Sequence, residues 1–438
     1  MNALEHTGMR IAAPKWLLTE GPTETRTAVW LFVVALVLRI GFVLLYPQYP
    51  FGLADDRGYD ELGWSLASGT GFSLPSDSGR YPAVGVGPLY PFLLGLLYLV
   101  FGHDLTAVRL LQAVVSAAVV LLTWQMTRAA GYSSKIALLS AAFVASYPAF
   151  IIYTGVVMTE VLFTFLLVAS IWAFLCALEN RSSWTWILAG ALMGATILHR
   201  SEVLVLVPMC AGVAVYRCTR DTLAGVVFFL AAAGLVVAPW TVRNYVTFDE
   251  IVPVSANGGR TLWIATKPWD EWVPDDPELQ ALITGLDQIE IDQALGRAAV
   301  QDIIAAPVQY LELCLKRVPQ FWIGSHTTYL VGFSESFRTY FANGAYGRLL
   351  TKIALLLANL GLILFAVAGV WQTSRATWRK PAALLLVPIL GVSAVHVLLF
   401  ATSRFHVPVM PFVLVFAAVQ LAPYLDTGFW TRALGQRS

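Results

Sequence analysis

The sequence predicts an all-α polytopic membrane protein, on three observations. Apolar residues make up 58% of the chain and charged residues only 13%, about half the charged share of an ordinary soluble domain. Apolar runs recur along the chain, most of them near the roughly 20 residues a helix needs to cross a bilayer. The charged and polar residues gather in the connections between those runs. Net charge is +1, so the chain offers no electrostatic footing for nucleic acid.

Ten runs are candidate spans: 27–47, 105–127, 136–154, 160–178, 184–199, 202–216, 222–240, 348–371, 381–401 and 405–424. An eleventh, 88–101, is too short to cross comfortably and is expected to lie in the interface. The expectation is therefore ten to eleven transmembrane helices with juxtamembrane helices and a small extracytoplasmic cap. With the N-terminus inside, Arg128, Lys135, Arg181, Arg217, Arg220, Arg375, Arg379, Lys380, Arg432 and Arg437 all fall on the cytoplasmic side, as the positive-inside bias requires. Residues 1–26 mix Glu5, Arg10, Lys15, Glu20, Glu24 and Arg26 and do not resemble a signal-peptide n-region, so the first span is read as retained.

The expected organisation is a cytoplasmic segment 1–26 and a helical body 27–240 with a first outer loop 48–104. An outer cap 241–347, further spans over 348–424 and a cytoplasmic tail 425–438 follow. In the cap, VPVSANGGRTLWIA reads as a strand-like stretch broken by a turn at Asn257–Gly258–Gly259. An acidic, Trp-rich segment (Trp269, Asp270, Glu271, Trp272, Asp275, Asp276) comes next. Residues 278–305 and then 307–323 repeat apolar positions at helical spacing. The four cysteines, Cys176, Cys210, Cys218 and Cys314, have neither disulfide nor zinc spacing.

The polar groups assigned to the outer side carry the chemistry. Asp55 and Asp56 open a short amphipathic helix in which Tyr59, Leu62 and Leu66 share a face and Gly69 and Gly71 end the pattern. One Asp suffices to cap a helix. A second carboxylate held ionised at a helix N-terminus can serve as a general base. Glu160 starts an apolar run with no Lys or Arg nearby in sequence, and either complements the helix dipole or holds an acceptor or a metal. Arg200, Arg243 and Arg404 run against the positive-inside bias, and an anionic ligand would account for them. Arg404, in a very short turn between two apolar runs, is the strongest of the three. Glu202 reads as a local ion-pair partner of Arg200, and Asn244 as an interface anchor beside Arg243. His103, His326, His396 and His406 share no ligand spacing, and no phosphate-binding glycine loop is present.

These stretches in their order, DDRGYDELGWSLASGTGF, PLYPFLLGLLYLVFG with AVRLLQAV, MTEVLFTFLL, APWTVRNYVTF with VPVSANGG, and SRFHVPVMPF, resemble the GT-C superfamily of polyprenyl-phosphate-sugar-dependent glycosyltransferases. The nearest likeness is to bacterial relatives of protein O-mannosyltransferases and of the lipid A aminoarabinose transferase. The resemblance implies a multi-pass inner-membrane enzyme working on the extracytoplasmic side. It also implies a lipid-linked donor, inversion at the anomeric carbon, and a glycolipid, polysaccharide or protein as acceptor. Asp55 takes the place of the family's base, Asp56 stands beside it where relatives often carry Glu, and Arg404 matches the family's late arginine. Arg404, Arg243 and Arg200 become donor-phosphate ligands, and Glu160, Tyr59 and Asn257 support the acceptor or a metal. A divalent cation at Glu160 and Asp56 is left open. Where many relatives carry a basic residue before a Pro-x-Tyr run, this chain reads Val86–Gly87–Pro88–Leu89–Tyr90, so either Arg80 replaces that residue or phosphate binding is arranged differently. The rival class is a carrier or flippase of lipid-linked sugars, which would show internal repeats and midplane charges.

Overall fold

Each of the ten apolar runs forms helix over most of its length in the computed structural model, which describes residues 22–46, 54–76, 79–180, 182–216, 220–268, 277–324, 326–327, 333, 335–376 and 381–425. Residues 1–21, the acidic segment 269–276, the tail from 426, Cys218, and the basic residues Arg181, Arg217, Arg379, Lys380, Arg432 and Arg437 lie outside the described residues.

The first span is α1 (Pro22–Leu45). The segment expected as the first outer loop holds α2 (Ala54–Ala67), a hairpin of β1 (Ser73–Ser76) and β2 (Gly79–Pro82), and α3 (Leu89–Phe101). Then come α4 (Leu105–Ala129), α5 (Ser134–Ser146), α6 (Pro148–Ile152), α7 (Glu160–Asn180), α8 (Ser183–His199), α9 (Leu206–Tyr216) and α10 (Arg220–Phe248). The cap comprises α11 (Gly258–Ala265), α12 (Pro277–Ile283), α13 (Gln288–Ala305), α14 (Pro307–Trp322) and α15 (Phe337–Ala342). The chain re-enters the body with α16 (Tyr346–Ala376), α17 (Leu386–Leu398) and α18 (Met410–Leu421).

Among the described residues seven helices are by themselves long and apolar enough to cross a membrane. The other three expected spans are the pair α5–α6, bent by 52°, α8 with 17 residues, and α9 behind a short 3-10 turn. The bend follows from Pro148, which has no N–H to continue α5 and biases Tyr147 towards extended backbone. Burial sorts the spans. The apolar windows of α7 and of the α18 span are 78% and 89% buried, against 22% for α1 and 17% for α16. The first two therefore form the centre, and the last two turn most of their surface to lipid.

A charged side chain inside this body is fully compensated. Arg39 of α1 has no exposed surface. Its Nε donates to Ser116 Oγ at 2.8 Å, Nη1 to Ala35 O and Ala145 O, and Nη2 to Val144 O, the last three at 3.1 Å. The guanidinium thus occupies the C-terminal carbonyls of α5 at the bend, where a helix leaves acceptors unpaired and favours a cation.

In the first outer loop α2 and α3 cross closely. A Cβ on Gly63 would come within 2.6 Å of Leu94 Cβ, and one on Gly95 within 2.9 Å of Leu66 Cβ. Arg80 of β2 ties the hairpin to α2 through Ser65 Oγ, Ser73 Oγ and Ser73 O at 2.8–3.0 Å. The run 88–101 is the 13-residue α3, too short to span.

The cap corrects one expectation. Residues 258–265 are helix, not strand. A glycine pair suggested a turn, yet Gly259 serves helix packing, since a Cβ there would lie 1.9 Å from Asp292 O of α13. Around this crossing Trp263, Leu279, Leu295 and Ala299 form a core separate from that of the body. The single helical pattern over 278–305 is two helices, broken at Gly285 (φ +81°) and restarted by an Asp287–Glu290 capping box.

Replacing Arg39 by Met would take the side-chain donor from the Val144 and Ala145 carbonyls at the end of α5, each costing about 1–3 kcal/mol when buried. Thermal unfolding in detergent should show the variant several degrees less stable than the wild type. An unchanged transition would remove Arg39 from this role.

Candidate active site

α7 opens on a carboxylate. Glu160 is its first residue and only 1% exposed, and neither side-chain oxygen has a hydrogen-bond donor within reach among the described residues. Compensation comes from the α7 dipole and from two guanidiniums, with Arg200 Nη1 and Arg404 Nε each 3.9 Å from Glu160 Oε1. Arg200 directly follows α8, and its Nε lies 2.7 Å from Glu202 Oε1 as an ion pair. Arg404 stands in the turn before α18, and its Nη2 donates to Asp55 Oδ2 at 2.5 Å. The charges therefore alternate along one chain of contacts: Glu202, Arg200, Glu160, Arg404, Asp55.

Each member sits at a helix end, which is why residues so distant in sequence can meet. Asp55 and Arg404 are 349 positions apart. Asp55 lies in the first turn of α2. Its side chain is 46% exposed, whereas Asp56 is 3% exposed and its Oδ1 accepts from Arg57 N at 2.8 Å. Of the acidic pair, only Asp55 faces solvent.

Phe405 spaces the two cations. The guanidinium of Arg200 lies 5.0 Å from the ring centroid and that of Arg404 4.6 Å, both within cation–π range. His396 stacks against the same ring at 4.3 Å and 9°, its Nδ1 3.0 Å from Phe400 O and its Nε2 3.5 Å from Glu202 Oε1. Neither Phe405 nor His396 was marked by the sequence, although His396 stands only eight positions before Arg404.

Tyr59 is one helical turn beyond Asp55 and shares its face. Removal from water pushes its phenol up to about 12; the Arg200 charge opposes that shift, and the charges of Asp55 and Glu160 add to it. Its ring meets Tyr90 edge-on at 5.4 Å. Tyr90 in turn donates to Gln112 Oε1 at 2.7 Å, and Gln112 Nε2 donates to Thr154 O and Val156 O. The outer loop is thus bolted to α4 and to the turn leading into α7.

Other expected ligands lie elsewhere. Arg243 donates to Ala83 O at 2.9 Å, Phe72 O at 3.2 Å and Asn244 Oδ1 at 3.0 Å, and lies over the rings of Phe72, Trp240 and Phe248. It staples the outer loop to α10, apart from the carboxylate cluster. Asn257 is exposed at the start of α11, its carbonyl accepting from Thr261. Arg80 is committed to the hairpin. At Gly87 a Cβ would come within 2.5 Å of both Leu198 O and His199 O, so a long basic side chain cannot stand there. For a metal, Glu160 is flanked by guanidiniums, an environment that suits an anion, and no three His, Cys, Asp or Glu side chains converge among the described residues.

Residues 85–242 match the family model described as dolichyl-phosphate-mannose-protein mannosyltransferase. No curated protein matches the chain by sequence. Among solved structures, the archaeal oligosaccharyltransferase AglB of Archaeoglobus fulgidus, in complex with an inhibitory peptide and a dolichol-phosphate, aligns with a TM-score of 0.57 at 15% identity. The alignment covers 95% of this chain and 52% of that one. Its apo form gives 0.57 at 13%, covering 94% and 52%. ArnT of Cupriavidus metallidurans bound to undecaprenyl phosphate gives 0.40 at 14%, covering 98% and 82%. The chain spans about half the length of the oligosaccharyltransferase.

Tyr59 should mark alkaline stability. Its raised pKa contributes stability that is complete below the ordinary value of 10 and is lost as pH rises towards about 12. Tyr59→Phe should shrink the loss of thermal stability across that window, and equal losses in both proteins would refute the assignment. With α7 at its centre, the chain shares its fold with the archaeal oligosaccharyltransferase AglB.

Proposed function

We propose that the chain is an inverting glycosyltransferase. It would move a sugar from a polyprenyl-phosphate donor to an acceptor glycolipid, polysaccharide or protein on the extracytoplasmic face of a bacterial inner membrane. The observation that carries this reading is the Arg404–Asp55 contact beside Glu160 and Arg200, a half-exposed carboxylate held against an arginine that a buried carboxylate shares with a second arginine. The family-model match supports it.

In this mechanism Asp55 takes the proton of the acceptor hydroxyl or amine while the acceptor atom attacks the anomeric carbon. The bond from that carbon to the phosphate oxygen breaks, and the electron pair leaves with the lipid phosphate. Arg404 and Arg200 stabilise the charge developing there. Before substrate arrives Arg404 is paired with Asp55. A donor phosphate competes for the same guanidinium and turns the carboxylate over to the acceptor. Glu160 keeps the two arginines oriented without taking part in transfer, and Tyr59, neutral at ordinary pH, lines the acceptor side. A carrier would place its polar groups near the bilayer midplane between repeats, whereas here the cluster is built from helix termini.

Asp55→Asn should lower transfer by about 10²–10⁴-fold and Arg404→Gln by about 10²–10³-fold, with insertion and folding kept. The assay is mass spectrometry of envelope glycolipids and glycans from a deletion strain carrying each variant. Full restoration of the missing sugar by Asp55→Asn would exclude Asp55 as the base. Loss of lipid-sugar translocation with transfer chemistry absent from the wild type would favour the carrier.

A further inference from the structure

α14 divides its surface into three sectors, as a helix at an oil–water boundary does. Tyr310, Cys314, Arg317 and Phe321 face the protein, partly or fully buried. Gln309, Glu312, Lys316 and Gln320 form an exposed polar sector. Between these lies a stripe at helical spacing, Val308 (79% exposed), Leu311 (59%), Leu315 (64%) and Val318 (41%). Ile304, at the end of α13, is 74% exposed and precedes the same stripe. Single exposed apolar residues are ordinary on a protein surface. A continuous stripe along about three helical turns is not, and it needs an occupant.

The occupant is indicated by depth. α14 is pinned to the last residues of the span ending at Leu398: Tyr310 Oη donates to Leu398 O, and Arg317 Nη1 donates to Val397 O at 3.4 Å. Leu398 is itself 51% exposed, so the lipid-facing surface of a membrane helix runs on towards the stripe. α13 and α14 together pass the length and apolarity test for a span, yet are bent by 106°, which a single crossing does not allow. The tyrosine at the span end also suits the headgroup level.

We infer that α14 lies in the plane of the membrane, its Val308–Leu311–Leu315–Val318 face seated in the acyl chains of the leaflet where the span ends. The cap is then a wall standing in the lipid surface. The polar sector of α14 lines a cavity of about 260 Å³ with Lys267, Arg317 and Phe400, four residues from Arg404.

The test uses the full chain, its native cysteines replaced, in vesicles of phosphatidylethanolamine and phosphatidylglycerol. Nitroxide labels at Leu311→Cys and Leu315→Cys should be reached by oxygen several-fold better than by a water-soluble nickel complex, and labels at Gln309→Cys and Lys316→Cys should show the reverse. Footprinting of the unmodified protein with a lipid-partitioned diazirine should mark Leu311 and Leu315 and spare Glu312. Nickel access at all four positions would overturn the inference, as would protection of Leu311 and Leu315 from both reagents, since a protein partner or second copy would then be the occupant.

Discussion

A carboxylate that has no hydrogen bond among the described residues, buried at the start of one of the two most central helices, is the constraint around which this molecule is arranged. Burying an ionised Glu costs several kcal/mol unless charge and dipoles answer it. At Glu160 the answer is the α7 dipole and two arginines at 3.9 Å. Those arginines come from different connections, one after α8 and one before α18, so the need to neutralise a single side chain fixes three helix ends relative to one another. Removing either arginine would leave Glu160 undercompensated, which couples the integrity of the body to the groups proposed for chemistry.

The cations impose a constraint of their own. Two guanidiniums near one carboxylate repel each other, and Phe405 between them, with His396 stacked on its ring and Glu202 bound to Arg200, sets their separation. Asp55 and Glu202 terminate the series, so five charges alternate in sign and end in carboxylates.

The helical body was legible because lipid solvation leaves little choice of sequence: a span must be apolar for its whole length, and the ten runs are visible as such. Asp55 and Arg404 were legible for the complementary reason, since charge at a membrane rim is costly and stands out. Arg243 stood out equally and serves as a staple, because an arginine satisfied by backbone carbonyls and aromatic faces has the same sequence signature as one awaiting a phosphate. The helix 258–265 was misread as strand because Gly259 marks a helix crossing, and a single sequence does not distinguish a glycine needed for packing from one needed for a turn. Phe405 and His396 were missed since an aromatic or a histidine among apolar residues carries no sign of the neighbours it acquires.

Gly87 sits with its α-carbon against the carbonyls that finish α8. A side chain cannot be added at this position by exchange alone, because the obstacle is main chain and cannot step aside. Making room for one would require α8 to end elsewhere, and Arg200, which follows directly, would move with it. One small residue thereby ties the segment before α3 to the placement of an arginine more than a hundred positions later.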